Sequence, residues 1–226
     1  MCWNADISIN TFIFSCFALV FIYITNTYSK YKTPLFDNPL FYLFALLAAS
    51  MQLLEFFIWR NLKNKALNTQ LSKVGLLLLF SQIFVLILIV DNPIYRYSLL
   101  AVLALISFMV YLYSQSHPIV FKTRESGGHL SWDWIILPGL SFTTNLVLLT
   151  IGLLLYFIPF FLIKESQDLK IRLVLLGILL YLFSYLVGKK DHTYGSLWCW
   201  SINLFFLYFI VNILLVQPFY EYNGLC

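Results

Sequence analysis

The sequence is poor in charged residues. Only 11% of its 226 residues are Asp, Glu, Lys or Arg, whereas 61% are hydrophobic and the mean hydropathy is +0.85. A soluble domain typically carries about 25% charged residues. Because a soluble core of this size needs charged helix faces and polar turns around it, this composition excludes an ordinary soluble domain.

Signature motifs of several protein classes are also missing. The four cysteines, Cys2, Cys16, Cys199 and Cys226, form no CxxC pair, which excludes a disulfide framework. There is no glycine-rich nucleotide loop, no arginine ladder of a voltage sensor, and no lysine in the last hydrophobic segment for a retinal Schiff base. The net charge of +4 is spread over the loops, so we expect no nucleic-acid partner.

Long hydrophobic runs are what the sequence does contain. A run of about 20 apolar residues can cross the hydrocarbon of a bilayer. Seven such segments occur, at about 9–28, 39–59, 74–90, 95–113, 140–163, 169–188 and 197–218. They are apolar all round, without the alternation of barrel strands. The sequence therefore predicts an all-α protein: one polytopic domain, a seven-transmembrane helix bundle whose partner is the lipid bilayer.

Two connections are longer than turns, and both fall on the side of the membrane where the chain begins, the N-terminal face. They cover residues 60–73 and 114–133. The second contains Gly127-Gly128, which predicts a turn. Pro138-Gly139 predicts a break before the fifth helix, because proline removes a backbone donor. We expect residues 129–137 to form an interfacial segment.

Aromatic and basic residues indicate how the chain is oriented. All six tryptophans fall on the N-terminal face: Trp3, Trp59, Trp132, Trp134, Trp198 and Trp200. Indole rings prefer the headgroup region, yet the other interface receives none. We hypothesise that they form an aromatic lid, with one ring of each closely spaced pair facing the interior. Eight basic residues on this face against six on the other narrowly favour a cytoplasmic N-terminus.

Polar residues inside the spans predict a pocket that opens on the N-terminal face. Polar side chains in hydrocarbon face protein or water, so their placement outlines a cavity or a packing seam. Glu55 is the only acidic residue well inside a span, and it shares a helical stripe with Gln52 and Trp59. The predicted pocket-lining residues are Glu55, Gln52, Trp59, Asn145, Ser184, Asn203 and Trp198.

Metal ligands are present, but their spacing is not that of a metal site. His129, His192 and Cys199 are the residues on this face that a zinc ion would use. No HxxxH or HExxH pair accompanies them. Ordinary loop histidines are the better explanation, so we expect no metal and no cofactor.

Four short patches resemble a known family. Met1-Cys2-Trp3-Asn4 before the first span and Met51–Glu55 in the second carry the likeness, and Gly128–Trp132 and Gly195–Trp200 fit it more loosely. They resemble an uncharacterised multipass membrane family that begins Met-Cys-Trp and occurs in protists, algae, bacteria and large DNA viruses. The resemblance implies a multipass membrane protein and supplies no activity, cofactor or catalytic residue.

Three functions remain open on the sequence alone. The leading one is binding or transport of a small molecule or ion, with Glu55 and Gln52 as the central polar contacts. The second is a membrane-embedded enzyme that acts on lipid, with Glu55, His129 or His192 and a metal. In the third, a structural membrane protein, the polar residues join helices to one another. Homo-oligomerisation is left open.

Overall fold

The computed structural model describes residues 4–189, 191 and 193–224. Within them, seven helices are long and apolar enough to cross a membrane. Their bounds are α1 Ala5–Tyr28, α2 Pro39–Arg60, α3 Lys65–Leu88, α4 Pro93–Ser116, α5 Phe142–Leu162, α6 Gln167–Gly188 and a seventh stretch, Tyr194–Tyr222. That stretch consists of α7 Tyr194–Ser201, α8 Asn203–Val211, a π-helical segment Asn212–Val216 and α9 Gln217–Tyr222. An all-α fold with seven apolar helices, as predicted, is therefore confirmed.

Side-chain caps fix where the first six helices begin. The capping residues are Asn4, Asn38, Asn64, Asn92, Ser141 and Ser166. Each accepts a hydrogen bond from a backbone N–H of the first turn, which satisfies one of the donors that a helix start leaves without an intrahelical partner. Thr193 precedes the seventh stretch as its N-cap residue, and its side chain makes no such bond.

The third helix begins nine residues earlier than the hydrophobic run at 74–90 predicts. It starts at Lys65, so the predicted loop 60–73 is mostly helix. Asn64 caps it, and the polar residues Asn68 and Ser72 are buried against a neighbouring hairpin. Hydropathy missed this part of the helix because its buried face is polar.

That hairpin follows α4 and was not predicted. Its strands are β1 Thr123–Ser126 and β2 His129–Trp132, paired antiparallel. Gly127 and Gly128 connect them with φ of 57° and 79°, values that side-chain-bearing residues rarely adopt. The turn predicted at these two glycines is confirmed.

An irregular segment connects the hairpin to α5. A short 3-10 helix, Asp133–Ile135, follows β2, and no helix resumes until Phe142. The break predicted at Pro138-Gly139 is confirmed. Asn145, in the first turn of α5, ties this segment down, because its side chain accepts from the backbone N–H of Leu137 at 2.9 Å and donates to the carbonyl of Leu137 at 3.2 Å.

The helices differ widely in how much protein surrounds them. The second helix packs against α1, α3 and α7, and 56% of its most apolar stretch is buried. In α4 the corresponding share is 6%. One apolar core lies toward the end of the bundle opposite the N-terminal face, the far face, and contains edge-to-face aromatic pairs such as Phe36 with Phe209. The bundle therefore has a dense centre and a peripheral fourth helix.

Candidate functional site

A cavity with a volume of about 880 Å³ lies between α3, α4 and α5. One face of α4 lines it through residues spaced three and four apart, namely Leu103, Ile106, Ser107, Val110, Tyr111 and Ser114. A matching face of α5 includes Leu148, Leu149 and Gly152. Tyr181 of α6, Trp198 of α7, and the segment after the hairpin complete the walls.

Two groups of contacts attach α4 to the rest of the bundle, one near its C-terminal end and one near its middle. At the N-terminal face, the Tyr113 hydroxyl donates to the carbonyl of Pro138 at 2.6 Å, and His117 stacks on Tyr113 with 4.4 Å between ring centroids. Deeper in the bundle, Leu103 packs with Ile87 of α3 and Leu155 of α5. Between these attachments the facing surfaces of α4 and α5 line the cavity.

Gly152 lies where the wall formed by α5 is open. A Cβ atom added to this glycine would meet no atom within 4 Å. Helix interiors disfavour glycine by roughly 0.5–1 kcal/mol relative to alanine. The cavity therefore depends in part on a residue that contributes no side chain to it.

The cavity is mostly apolar, and its charged lining residue lies at one end. Lys73 and Tyr111 line it near the N-terminal face, together with Tyr194 at the start of α7. Ile83 lies ten residues further along α3, which corresponds to about 15 Å at 1.5 Å per residue. Lys73 is the one formally charged side chain among the described residues that line the cavity.

Two stacked tryptophans close the cavity toward the hairpin. Trp132 and Trp134 are both buried, and their rings are nearly parallel with centroids 5.2 Å apart. The prediction that one ring of this pair faces the interior and the other does not is wrong. It assumed a helix, whereas the chain here is the end of β2 followed by a 3-10 turn.

Both indole rings lie against glycines. A Cβ on Gly195 of α7 would come within 2.8 Å of Cε3 of Trp132. A Cβ on Gly75 of α3 would come within 3.0 Å of Cζ2 of Trp134. A larger residue at Gly195 or Gly75 would therefore clash with the indole ring beside it.

The first two turns of α3 hold the hairpin in place. The Asn68 side chain accepts from the backbone N–H of Thr123 and donates to its carbonyl, both at 3.0 Å. The hydroxyls of Ser72 and Thr123 are 2.8 Å apart. All three residues are buried, so these bonds replace the hydrogen bonds that their polar groups would otherwise make with water.

A second group of polar residues lies elsewhere, between α1, α2 and the seventh stretch. We call it the polar seam; it comprises Thr11, Ser15, Gln52, Glu55, Ser196 and Asn203. Thr11 donates to Gln52 Oε1 at 2.9 Å, and Ser15 donates to Asn203 Oδ1 at 2.6 Å. Ser196 hydrogen-bonds the Glu55 carboxyl. The seam joins three elements that are distant in sequence.

Two atoms of the seam have no hydrogen-bond partner among the described residues. They are Gln52 Nε2 and Glu55 Oε1, one turn apart on α2, and both side chains are buried. The start of α7 separates them from the cavity: Ser196 lies on the Glu55 side, and Gly195 and Trp198 line the cavity.

Of the seven predicted pocket residues, two line the cavity, three belong to the polar seam and two lie elsewhere. Asn145 and Trp198 line the cavity. Gln52, Glu55 and Asn203 belong to the seam, where they bond other helices. The remaining two have other surroundings: Ser184 is buried and donates to the carbonyl of Leu180 in its own helix, and Trp59 packs half-buried in the cluster beneath the hairpin.

Sequence reasoning missed Lys73 and Gly152. Lys73 precedes the third hydrophobic run directly, which is the signal that could have placed it at a cavity mouth. Gly152 lies on a helix that is apolar all round, where no periodicity distinguishes the face toward a cavity from the face toward lipid.

The predicted metal ligands have different outcomes. His129 begins β2, partial burial lowers the pKa of its imidazole, and the nearby Asp191 carboxylate opposes that shift. Cys199 is buried beside Glu55. His192 lies outside the described residues. Among the residues that are described, no three His, Cys, Asp or Glu side chains are grouped so that they could hold a metal ion.

Comparison with known proteins adds no assignment: no family model, curated protein or solved structure matches this chain. The resemblance to the Met-Cys-Trp family therefore stays a prediction.

Proposed function

We propose that this chain is a multipass membrane protein that binds a lipid-like amphiphile in the cavity between α3, α4 and α5. The observation that carries the proposal is the cavity itself, which is mostly apolar and has its charged lining residue, Lys73, at the N-terminal face. Small-molecule sites typically enclose about 300–1,000 Å³ and have mostly apolar walls with a few polar groups. The volume of about 880 Å³ is within that range.

The depth of the cavity matches one leaflet of a bilayer. The hydrocarbon of a membrane is about 30 Å thick, so one leaflet contributes about 15 Å. Lys73 and Ile83 mark the two ends of the cavity on α3, and ten helical residues between them correspond to about 15 Å. A ligand with a polar end near Lys73 and an apolar tail toward Ile83 would therefore have the orientation of a lipid in the leaflet of the N-terminal face.

In this proposal all seven apolar helices cross the membrane and the N-terminal face is cytoplasmic. The lengths and compositions of the helices support the first part. The excess of basic residues on that face, eight against six, supports the second.

The polar seam has a packing role in this proposal. Hydrogen bonds between Thr11 and Gln52 and between Ser15 and Asn203 connect α1 with α2 and with α8. Such interhelical bonds stabilise helix association in membranes. Because α7 lies between Glu55 and the cavity, the ligand is bound without a role for this carboxyl.

Filling the cavity tests the proposal. We expect the purified protein, extracted in mild detergent, to retain lipid that native mass spectrometry detects. Gly152→Trp places an indole in open space, so we expect it to lower lipid occupancy by at least about tenfold, with the fold intact by circular dichroism.

Leu154→Trp is the matched control. Leu154 is two residues away on α5 and 51% exposed on the outer surface, so the same bulk there leaves the cavity unchanged. Equal lipid retention by Gly152→Trp and Leu154→Trp would contradict the proposal. A parent protein that neither retains lipid on extraction nor binds added lipid would also contradict it.

A further inference from the structure

We infer that the ligand is an anionic phospholipid of the leaflet at the N-terminal face, with one acyl chain in the cavity and its headgroup at Lys73. This inference rests on the proposed function and adds the chemical class of the ligand. It depends on the sign of the charge at the mouth of the cavity and on what surrounds that charge.

Lys73 is in a position to pair with a headgroup. It lies on the α3 face that lines the cavity, at the end nearest the N-terminal face, and it is exposed. Its ammonium lies over the ring of Phe121 at 5.7 Å from the centroid, and Phe121 also lines the cavity. This contact holds the charge over the mouth and leaves its hydrogen-bond donors for an anion.

No carboxylate of the described residues neutralises this lysine. None of the described residues that line the cavity is Asp or Glu. Of the acidic residues near the hairpin, Asp133 is paired with Arg124 at 3.1 Å. Within the described part of the chain, Lys73 has no ion-pair partner within 4.0 Å, so the mouth of the cavity carries an uncompensated positive charge.

The other polar groups at the mouth suit phosphate oxygens. The Tyr111 hydroxyl, on α4, and the Tyr194 hydroxyl, at the start of α7, are phenolic donors on two walls of this end of the cavity. Below them the lining becomes apolar toward Ile106 and Ile83. One acyl chain beneath an anionic headgroup fits this order of groups, whereas a cationic amphiphile would be repelled at the mouth.

Lipid competition measures the preference. The protein is reconstituted in nanodiscs of equal parts phosphatidylglycerol and phosphatidylcholine, re-extracted in mild detergent, and its retained lipid is quantified by native mass spectrometry. We expect phosphatidylglycerol to be retained about fivefold over phosphatidylcholine, the effect of about one lysine near a membrane surface. Lys73→Gln should abolish this preference while lipid is still retained.

Lys65→Gln is the matched control, because Lys65 is exposed on the same helix and does not line the cavity. Retention without headgroup preference in the parent, or an unchanged preference in Lys73→Gln, would overturn the inference and leave the proposed function intact. Oleate can also be added to the same nanodiscs as a competitor. If the parent protein then retained oleate and no phospholipid, the phospholipid assignment would be overturned. Loss of lipid in Gly152→Trp, measured beside these variants, tests the proposed function separately.

Discussion

Single residues in this protein act mainly through the space they leave or the bonds they complete. The Asn68 side chain bonds both the backbone N–H and the carbonyl of Thr123, and so attaches the hairpin to α3. Glu55, the most conspicuous residue of the sequence, bonds Ser196 across a helix interface. The residue type alone therefore did not indicate whether a polar side chain would line the cavity or belong to the polar seam.

We expect His129 to make the stability of the protein depend on pH. Because burial lowers the pKa of its imidazole below the ordinary value of about 6.5, the unfolded chain binds a proton more readily than the folded one. We expect the free energy of unfolding to fall as the pH drops below about 6.5, and to level off below the folded pKa. Thermal unfolding in detergent between pH 7.5 and pH 5, followed by tryptophan fluorescence, measures this.

The variant His129→Gln should flatten that profile, since an amide does not titrate in this range. Trp132 and Trp134 lie three and five residues further along the chain and are buried, so their fluorescence contributes to this readout. An unchanged pH dependence in His129→Gln would assign the effect to another group.

At the scale of elements, the hairpin and α7 are fitted to one another through Gly195. Trp132 lies against this glycine, with its Cε3 atom only 2.8 Å from where a Cβ would be. We expect Gly195→Ala to lower the free energy of unfolding by about 1–3 kcal/mol, since the ring or the helix must shift to admit the methyl group. Thermal and denaturant unfolding in detergent would measure the change.

Gly152→Ala provides the comparison, because the same methyl group there meets nothing within 4 Å. In that helix interior we expect a gain of about 0.4–1 kcal/mol, from the reduced freedom of the unfolded chain. If Gly195→Ala were as stable as Gly152→Ala, the close contact between Trp132 and α7 would be contradicted.

On the scale of the whole molecule, polar contacts differ between the two ends of the bundle. At the far face, Glu221 near the C-terminus pairs with Lys30 at 2.5 Å and accepts from the Tyr31 hydroxyl at 2.6 Å. These bonds connect the end of the seventh stretch to the loop after α1. At the N-terminal face, the connection between α4 and α5 forms the hairpin and closes that end of the cavity. The proposed site and the longest connection therefore share one face.

The proposed orientation can be measured with two neutral substitutions, each in the first turn of a helix. Ala66→Cys is at the N-terminal face and Gln167→Cys at the far face, and both positions are exposed. In a background where Cys2 and Cys226 are serine, we expect a membrane-impermeant thiol reagent to label Gln167→Cys in intact cells and Ala66→Cys only after lysis. Labelling in the reverse order would place the N-terminal face outside.

The sequence by itself determined the elements that depend on local physics. Seven apolar runs became seven helices because a run of about 20 such residues satisfies its backbone most simply as a helix in an apolar surrounding. The turn at Gly127-Gly128 and the break at Pro138-Gly139 followed from backbone geometry. Even the early start of α3 had a local signal in Asn64, a capping residue that a hydropathy reading ignores.

Only the tertiary structure decided where the polar residues of the spans lie and where the cavity is. Gln52 and Asn203 bond Thr11 and Ser15, which are 41 and 188 residues away, and such pairings leave no trace in local periodicity. The cavity lies beside α4, which is attached near its middle and near its C-terminal end, and α5 lines it with Gly152, which has no side chain. In helices that are apolar all round, the faces toward lipid, protein and cavity have the same composition, so only their packing distinguishes them.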